Sequence, residues 1–237
     1  MKSRVLKAIV QAKSMMRNQL PSQSSQDKLT TVGFKSISKA RTHLDRYEDS
    51  LIGKKGQIAA FYDPNDHVIF FNKKMMLDMT EKMICEIFIH ELLHAISNHS
   101  VERKNDRLVL LSGLKRQIFY GQKYYCIFKS LNEGFVQYLC NDILGDKSET
   151  YKNEAIFAEK LAEITGKGTL MKAFIGNDGS FVEMIEEKFG KERFVEACDL
   201  LDKGNYIGAG RLFETKREIG LGQEYQMSNF QCLIKSK

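Results

Sequence analysis

The sequence predicts an α+β fold in which a small sheet packs on one helix and a helical carboxy-terminal subdomain follows. Three observations lead there. Residues 81 to 98 carry apolar positions at helical spacing around His90, Glu91 and His94. Just before them, Gln57-Ile58-Ala59-Ala60-Phe61-Tyr62 and His67-Val68-Ile69-Phe70-Phe71-Asn72 flank Asp63-Pro64-Asn65-Asp66, the pattern of a β-hairpin with a tight turn. Beyond Gly145 the chain reads as short amphipathic helices separated by glycines. The organisation that follows is a basic, mainly helical region over residues 1–55, a core over 56–145 and a helical subdomain over 146–237.

Taken in order, Val5, Leu6, Ile9 and Val10 with Met16 or Leu20 recur at helical spacing and predict a first helix, and Pro21 with the polar run Ser22 to Gln26 predicts a loop. A second helix is expected over Ser38 to Leu51, ended by Gly53 and Gly56. The hairpin comes next, and His67 to Asn72 is the expected edge strand facing the cleft. Asp78 or Thr80 caps the following helix, which should run to about Asn98. Residues 101 to 129 fit strand or helix equally. Further helices are expected over Leu131 to Leu144, Tyr151 to Thr165, Thr169 to Phe174, Ser180 to Phe189, Glu192 to Asp202 and Ile207 to Ile219.

The segment Ile89-His90-Glu91-Leu92-Leu93-His94 carries the chemistry. Histidines four apart share one helix face, so His90 and His94 can reach a single Zn²⁺, while Glu91 stands beside the ion where an attacking water would sit. Zinc lowers the pKa of water to about 7, and a neighbouring carboxylate takes the proton as a polarised carbonyl is attacked. The apolar setting of Phe88, Ile89, Leu92, Leu93 and Ile96 makes three unpartnered polar groups costly, a cost that a metal removes. A third ligand is needed. Glu133, in Leu131-Asn132-Glu133-Gly134-Phe135, is a carboxylate among apolar residues and is the best candidate.

His-Glu-x-x-His followed downstream by Asn-Glu-Gly resembles the gluzincin metallopeptidases, and Leu-Asn-Glu-Gly-Phe is similar to the aminopeptidase-N-like branch. The resemblance covers residues 83 to 98 and 130 to 144. It implies a zincin-like core in which His90, His94 and Glu133 bind Zn²⁺ and Glu91 is the catalytic general base. It also implies an edge strand ahead of the metal helix that pairs with extended substrate. Three departures limit it. The 38 residues between His94 and Glu133 make a spacer roughly twice that of the aminopeptidase-N-like enzymes. Their Gly-x-Met-Glu-Asn motif is absent, so aminopeptidase activity is not implied. Gln137 stands where thermolysin-like gluzincins place an aspartate that orients a histidine ligand, so an amide or another group would have to fill that role.

Hydrolysis through a tetrahedral intermediate also needs a donor on the far side from Glu91. Among Tyr120, Tyr124, Tyr125, Tyr138 and Tyr151, the sequence ranks Tyr151 first, because Tyr138 lies five positions from Glu133 and points off the metal face. His99, five residues after His94, would point away on a continuing helix and is expected at the surface.

Composition sets the setting. Five cysteines form no Cys-x-x-Cys pair, no apolar run exceeds five residues, and the amino terminus lacks a continuous apolar core. A cytoplasmic protein with no membrane span is the expectation. Of the net +6, residues 1 to 60 hold 12 Lys/Arg against 4 Asp/Glu. A zinc-dependent peptidase acting on a peptide or protein substrate is the function expected. The alternatives are a zincin-like regulatory or nucleic-acid-associated protein binding through residues 1–60, and a structural zinc domain. A solvated helix face is favoured over nucleic-acid binding for the basic region, since it has no aromatic residue before Phe34.

Overall fold

A computed structural model describes residues 2–20, 22–37, 59–104, 107–120, 123–176 and 180–212. Its elements are α1 (Lys2–Arg17), α2 (Gln23–Thr31), β1 (Gly33–Ile37), β2 (Ala60–Asp63), β3 (Val68–Asn72), a 3₁₀ turn (Met75–Leu77) and α3 (Glu81–Ile96). Strands β4 (His99–Lys104), β5 (Arg107–Ser112), β6 (Lys115–Tyr120) and β7 (Lys123–Ile127) follow. Six helices complete the described chain: α4 (Lys129–Leu144), α5 (Lys152–Thr165), α6 (Lys167–Gly176), α7 (Ser180–Phe189), α8 (Lys191–Asp202) and α9 (Tyr206–Arg211). The helix expected over Ser38 to Leu51, with Gly53 and Gly56, lies outside the described residues, as does the part of the last expected helix beyond residue 212.

Helix α3 is apolar nearly all round, the composition of a helix enclosed by others. Ile84, Phe88, Ile89, Leu92, Leu93 and Ile96 are fully buried. Thr80 is the cap, its hydroxyl accepting the Met83 N–H at 3.2 Å, worth about 1 kcal/mol; Asp78 sits in the 3₁₀ turn before it. The helix stops at Ile96, two residues short of the expected end. Ser97 is extended, and its hydroxyl donates to the His94 carbonyl at 2.7 Å, closing the last turn.

On one side α1 packs through Val5, Ala8, Ile9, Ala12 and Met16, all buried. Leu6 and Val10, read as part of the packing face, are 62% and 61% exposed, because small alanines occupy the seam instead. The stretch expected to be a loop from Ser22 is largely helix α2: Ser22 accepts the Ser25 N–H, and Leu29 is fully buried, so packing outweighs a locally polar sequence.

The hairpin forms as expected, β2 and β3 pairing antiparallel with Tyr62 opposite Ile69. Its edge is the other strand, however. β1 pairs in parallel with β3, Phe34 opposite Ile69, giving the order β1-β3-β2, so β3 is paired on both sides and cannot be the edge facing a cleft. Among the described residues nothing pairs with the outer side of β2, and β2 is the strand that lies against α3.

The described residues between 99 and 127 form an antiparallel meander, β4-β5-β6-β7. Its central turn needs Gly113, at φ 59°, where a Cβ would stand 2.5 Å from Asn132 Oδ1 and 2.6 Å from the Phe174 ring. Asn132 in turn accepts the Leu114 N–H at 2.9 Å, fastening the meander to α4. Buried apolar residues run as one cluster from Val5 to Ala209. No described helix is long and apolar enough to cross a membrane.

Candidate metal centre

Helices α3 and α4 pack together and bring three side chains from distant sequence to one point. His90 Nε2 and His94 Nε2 lie 3.3 Å apart, and Glu133 Oε2 is 3.3 Å from each. These atoms could hold a metal ion. All three are shielded, with side chains 10%, 14% and 17% exposed.

The hydrogen bonds around His90 fix which nitrogen faces the cluster. Gln137, itself buried, gives its Nε2–H groups to Asn141 Oδ1 at 3.0 Å and Glu86 Oε1 at 3.4 Å, so its Oε1 faces His90. It accepts from His90 Nδ1 at 3.1 Å, which leaves the Nε2 lone pair pointing at His94 and Glu133. An amide, at residue 137, is thus the group that hydrogen-bonds the His90 ring on the side away from the cluster.

Without a cation, these lone pairs would face one another in a nearly dry site. Burial works against both charged forms, yet the Glu133 carboxylate raises the pKa of His90, while His94 and His90 hold Glu133 well below the ordinary carboxylate range. The triangle therefore favours positive charge between its corners.

The other two residues of the Asn-Glu-Gly motif hold Glu133 in place. Asn132 grips the meander turn, and Gly134 allows the α5 backbone to approach: a Cβ there would lie 2.3 Å from the Glu154 carbonyl oxygen. That approach sets the start of α5, where Tyr151 adopts a left-handed φ of 48° and lays its ring on the His90 imidazole, centroids 5.5 Å apart and planes at 17°. Desolvation by the surrounding protein and the charges of Glu133, Glu91 and Glu154 push its phenol well up, so it keeps its proton. Of the other tyrosines considered, Tyr138 faces Lys167, Asp142 and Glu159 on the far side of α4, and Tyr125 is 53% exposed on β7. Tyr120 and Tyr124 lie at the turn end of the β6–β7 hairpin.

Glu91 lies beside the triangle, and its Oε2 accepts the backbone N–H of Tyr62 at 2.8 Å. Burial raises its pKa, His94 and His90 pull it back, and Glu133 adds to the rise. Tyr62 was not among the residues singled out from the sequence. Its ring packs on His99, centroids 5.3 Å apart, and its hydroxyl donates to His67 Nδ1 at 2.8 Å, His67 giving its Nε2–H to the Lys28 carbonyl at 3.2 Å. Burial and the Asp63 charge push the Tyr62 phenol up to about 12.

His99 is not the surface histidine expected. Because α3 ends at Ile96, the chain turns back and His99 opens β4, half-buried, with its Nε2–H donating to the His94 carbonyl at 2.8 Å. Burial lowers its pKa to about 4. It stands outside the triangle.

No protein-family model matches the chain, and no curated protein or solved structure matches it either. What the cluster can do rests on its own geometry.

Proposed function

We propose that the chain is a zinc-dependent metallopeptidase of gluzincin-like, zincin-type architecture, with His90, His94 and Glu133 as metal ligands and Glu91 as general base. The observation that carries this reading is the triangle of Nε2, Nε2 and Oε2 atoms at 3.3 Å. Donors held at about 2.0–2.1 Å from a tetrahedral zinc ion are about 3.3–3.4 Å apart, so the donor set and its spacing fit the ion without rearrangement. Among the described residues only these three ligating groups come together, which supports a site with an open position over a closed structural one.

When bound, zinc would supply Lewis acidity, polarising a peptide carbonyl and acidifying water. The chain's own residues account for the rest. Glu91 takes a proton from the attacking water at its carboxylate and returns it to the amide nitrogen as the C–N bond breaks. The Tyr62 N–H holds that carboxylate at the site, and the protonated Tyr151 hydroxyl is the candidate donor to the developing oxyanion. The outer side of β2 is unpaired by any strand among the described residues, and apart from the Tyr62 N–H, which Glu91 takes, it would offer its backbone groups to an extended peptide, which favours a peptide or protein substrate.

The nucleic-acid alternative has less support. Arg4 donates to the Met76 and Leu77 carbonyls, Lys13 to those of Thr30 and Val32, and Lys28 to those of Ile96 and Ser97, so these three basic groups are committed within the chain. The test is the metal content of the purified protein, followed by peptide-library cleavage with and without chelator. Stoichiometric zinc with chelator-sensitive cleavage is the expected result, and a metal-free protein without cleavage would refute the proposal.

A further inference from the structure

A circuit of hydrogen bonds begins and ends on α3. The Tyr62 N–H donates to Glu91 Oε2 at 2.8 Å, and the Tyr62 hydroxyl donates to His67 Nδ1, also at 2.8 Å. The His67 Nε2–H reaches α2, where the Lys28 carbonyl stands at 3.2 Å and the Thr31 hydroxyl oxygen at 3.1 Å. The Lys28 ammonium then returns to the end of α3, donating to the Ser97 carbonyl at 3.2 Å and the Ile96 carbonyl at 3.4 Å. Lys28 therefore holds the hairpin with its backbone and the end of α3 with its side chain.

The backbone at His67 argues that the ring is there for this link. Its φ is 51°, in the left-handed region that glycine enters freely and that a residue with a Cβ enters at a cost. The position follows the tight turn Asp63-Pro64-Asn65-Asp66, where glycine or asparagine would suit the backbone better. The Gly33 N–H already bonds the His67 carbonyl at 3.0 Å, so β1 is joined to the hairpin here without the ring. What the imidazole adds is the bridge from Tyr62 to α2. Strand β2 is only four residues long and pairs only with β3 among the described residues, and the Tyr62 N–H is given to Glu91, not to another strand. The Tyr62 ring also lies against His99, centroids 5.3 Å apart, and the His99 Nε2–H bonds the His94 carbonyl at 2.8 Å.

We propose that His67 is a positioning residue: by tying the Tyr62 side chain to α2, it fixes the Tyr62 N–H against the Glu91 carboxylate. This rests on the metallopeptidase reading and adds how its general base is held in place. Loss of the link misplaces a proton-transfer group without removing a substrate contact or a metal ligand, so it acts on kcat and leaves KM and zinc content alone.

Two variants test it. His67→Asn keeps a residue that tolerates the left-handed conformation but whose shorter side chain cannot bridge both partners, and Tyr62→Phe removes the hydroxyl alone. Amide hydrogen exchange by NMR on the purified full chain gives a readout without turnover. In both variants the Tyr62 amide should exchange ten-fold or more faster than in the wild type. The Asn72 amide, bonded to the Ala59 carbonyl at 2.7 Å across the same hairpin, should keep its protection. In the zinc-loaded chain, kcat for a cleaved peptide should fall ten-fold or more in each variant with KM and zinc content unchanged. The double variant should lose no more than either single one, since both cut one link. An unchanged Tyr62 amide, equal loss of protection at Tyr62 and Asn72, or additive losses in the double variant overturns the proposal. A wild type that binds no zinc and cleaves nothing overturns the metallopeptidase reading, and exchange at Tyr62 then decides the link on its own.

Discussion

Gln137 Oε1 accepts the Nδ1–H of His90 at 3.1 Å, and Gln137 is in turn held by Asn141 and Glu86. The His90 imidazole, a ligand in the proposed metal site, is thereby fixed in both tautomer and ring orientation, and the acceptor is neutral. A carboxylate in its place would add negative charge; the amide orients without doing so.

Replacing Gln137 by Leu should weaken zinc affinity by about 10- to 100-fold while the far-UV spectrum stays unchanged, because the ring loses its orienting partner but the ligands remain. Competition against a chromophoric chelator measures it. Unchanged affinity would show that helix packing alone orients His90.

Gly134 is where α4 and α5 meet, and Gly134→Ala puts a methyl group 2.3 Å from the Glu154 carbonyl oxygen. Backbone cannot yield as a side-chain tip can, so the variant should lose about 1–3 kcal/mol or more of stability in urea titration. It should also displace Tyr151 from His90. A variant as stable as wild type would mean that the helices separate freely at this point.

His99 should stay neutral at pH 5.5. Burial holds it at about 4 against 6.5 for an unperturbed histidine, so the unfolded chain takes up a proton that the folded chain refuses between those values. Stability from this group is fully present above about pH 6.5 and is lost as pH falls toward 4. Titration of the imidazole by NMR checks it; a midpoint near 6.5 would show that the ring is open to water.

Much of the candidate site was legible because its signals are local. The four-residue spacing of His90 and His94 needs only a helix, and Glu133 stood out as a carboxylate among Leu131, Phe135 and Val136. What was not legible depended on pairing between distant segments. That β3 is central follows from its parallel pairing with β1, more than thirty residues earlier, and nothing in the run from His67 to Asn72 records it. The same shift made β2 the edge and brought the Tyr62 N–H to Glu91. His99 was misplaced because α3 ends at Ile96, where the Ser97 N–H and hydroxyl and the His99 ring N–H all close on the His94 carbonyl, contacts that helical periodicity does not report. Helix α2 was hidden by its polar sequence, since Leu29 alone marks its buried face.

The most direct test of the central claim, that Glu133 completes the metal site, is zinc stoichiometry by mass spectrometry across three variants purified identically. Glu133→Gln should lose most of its zinc, since a neutral amide replaces the one negatively charged ligand. Glu91→Gln should keep zinc but lose activity, and His99→Ala should keep zinc. Full zinc occupancy in Glu133→Gln together with loss of zinc in His99→Ala would contradict the account.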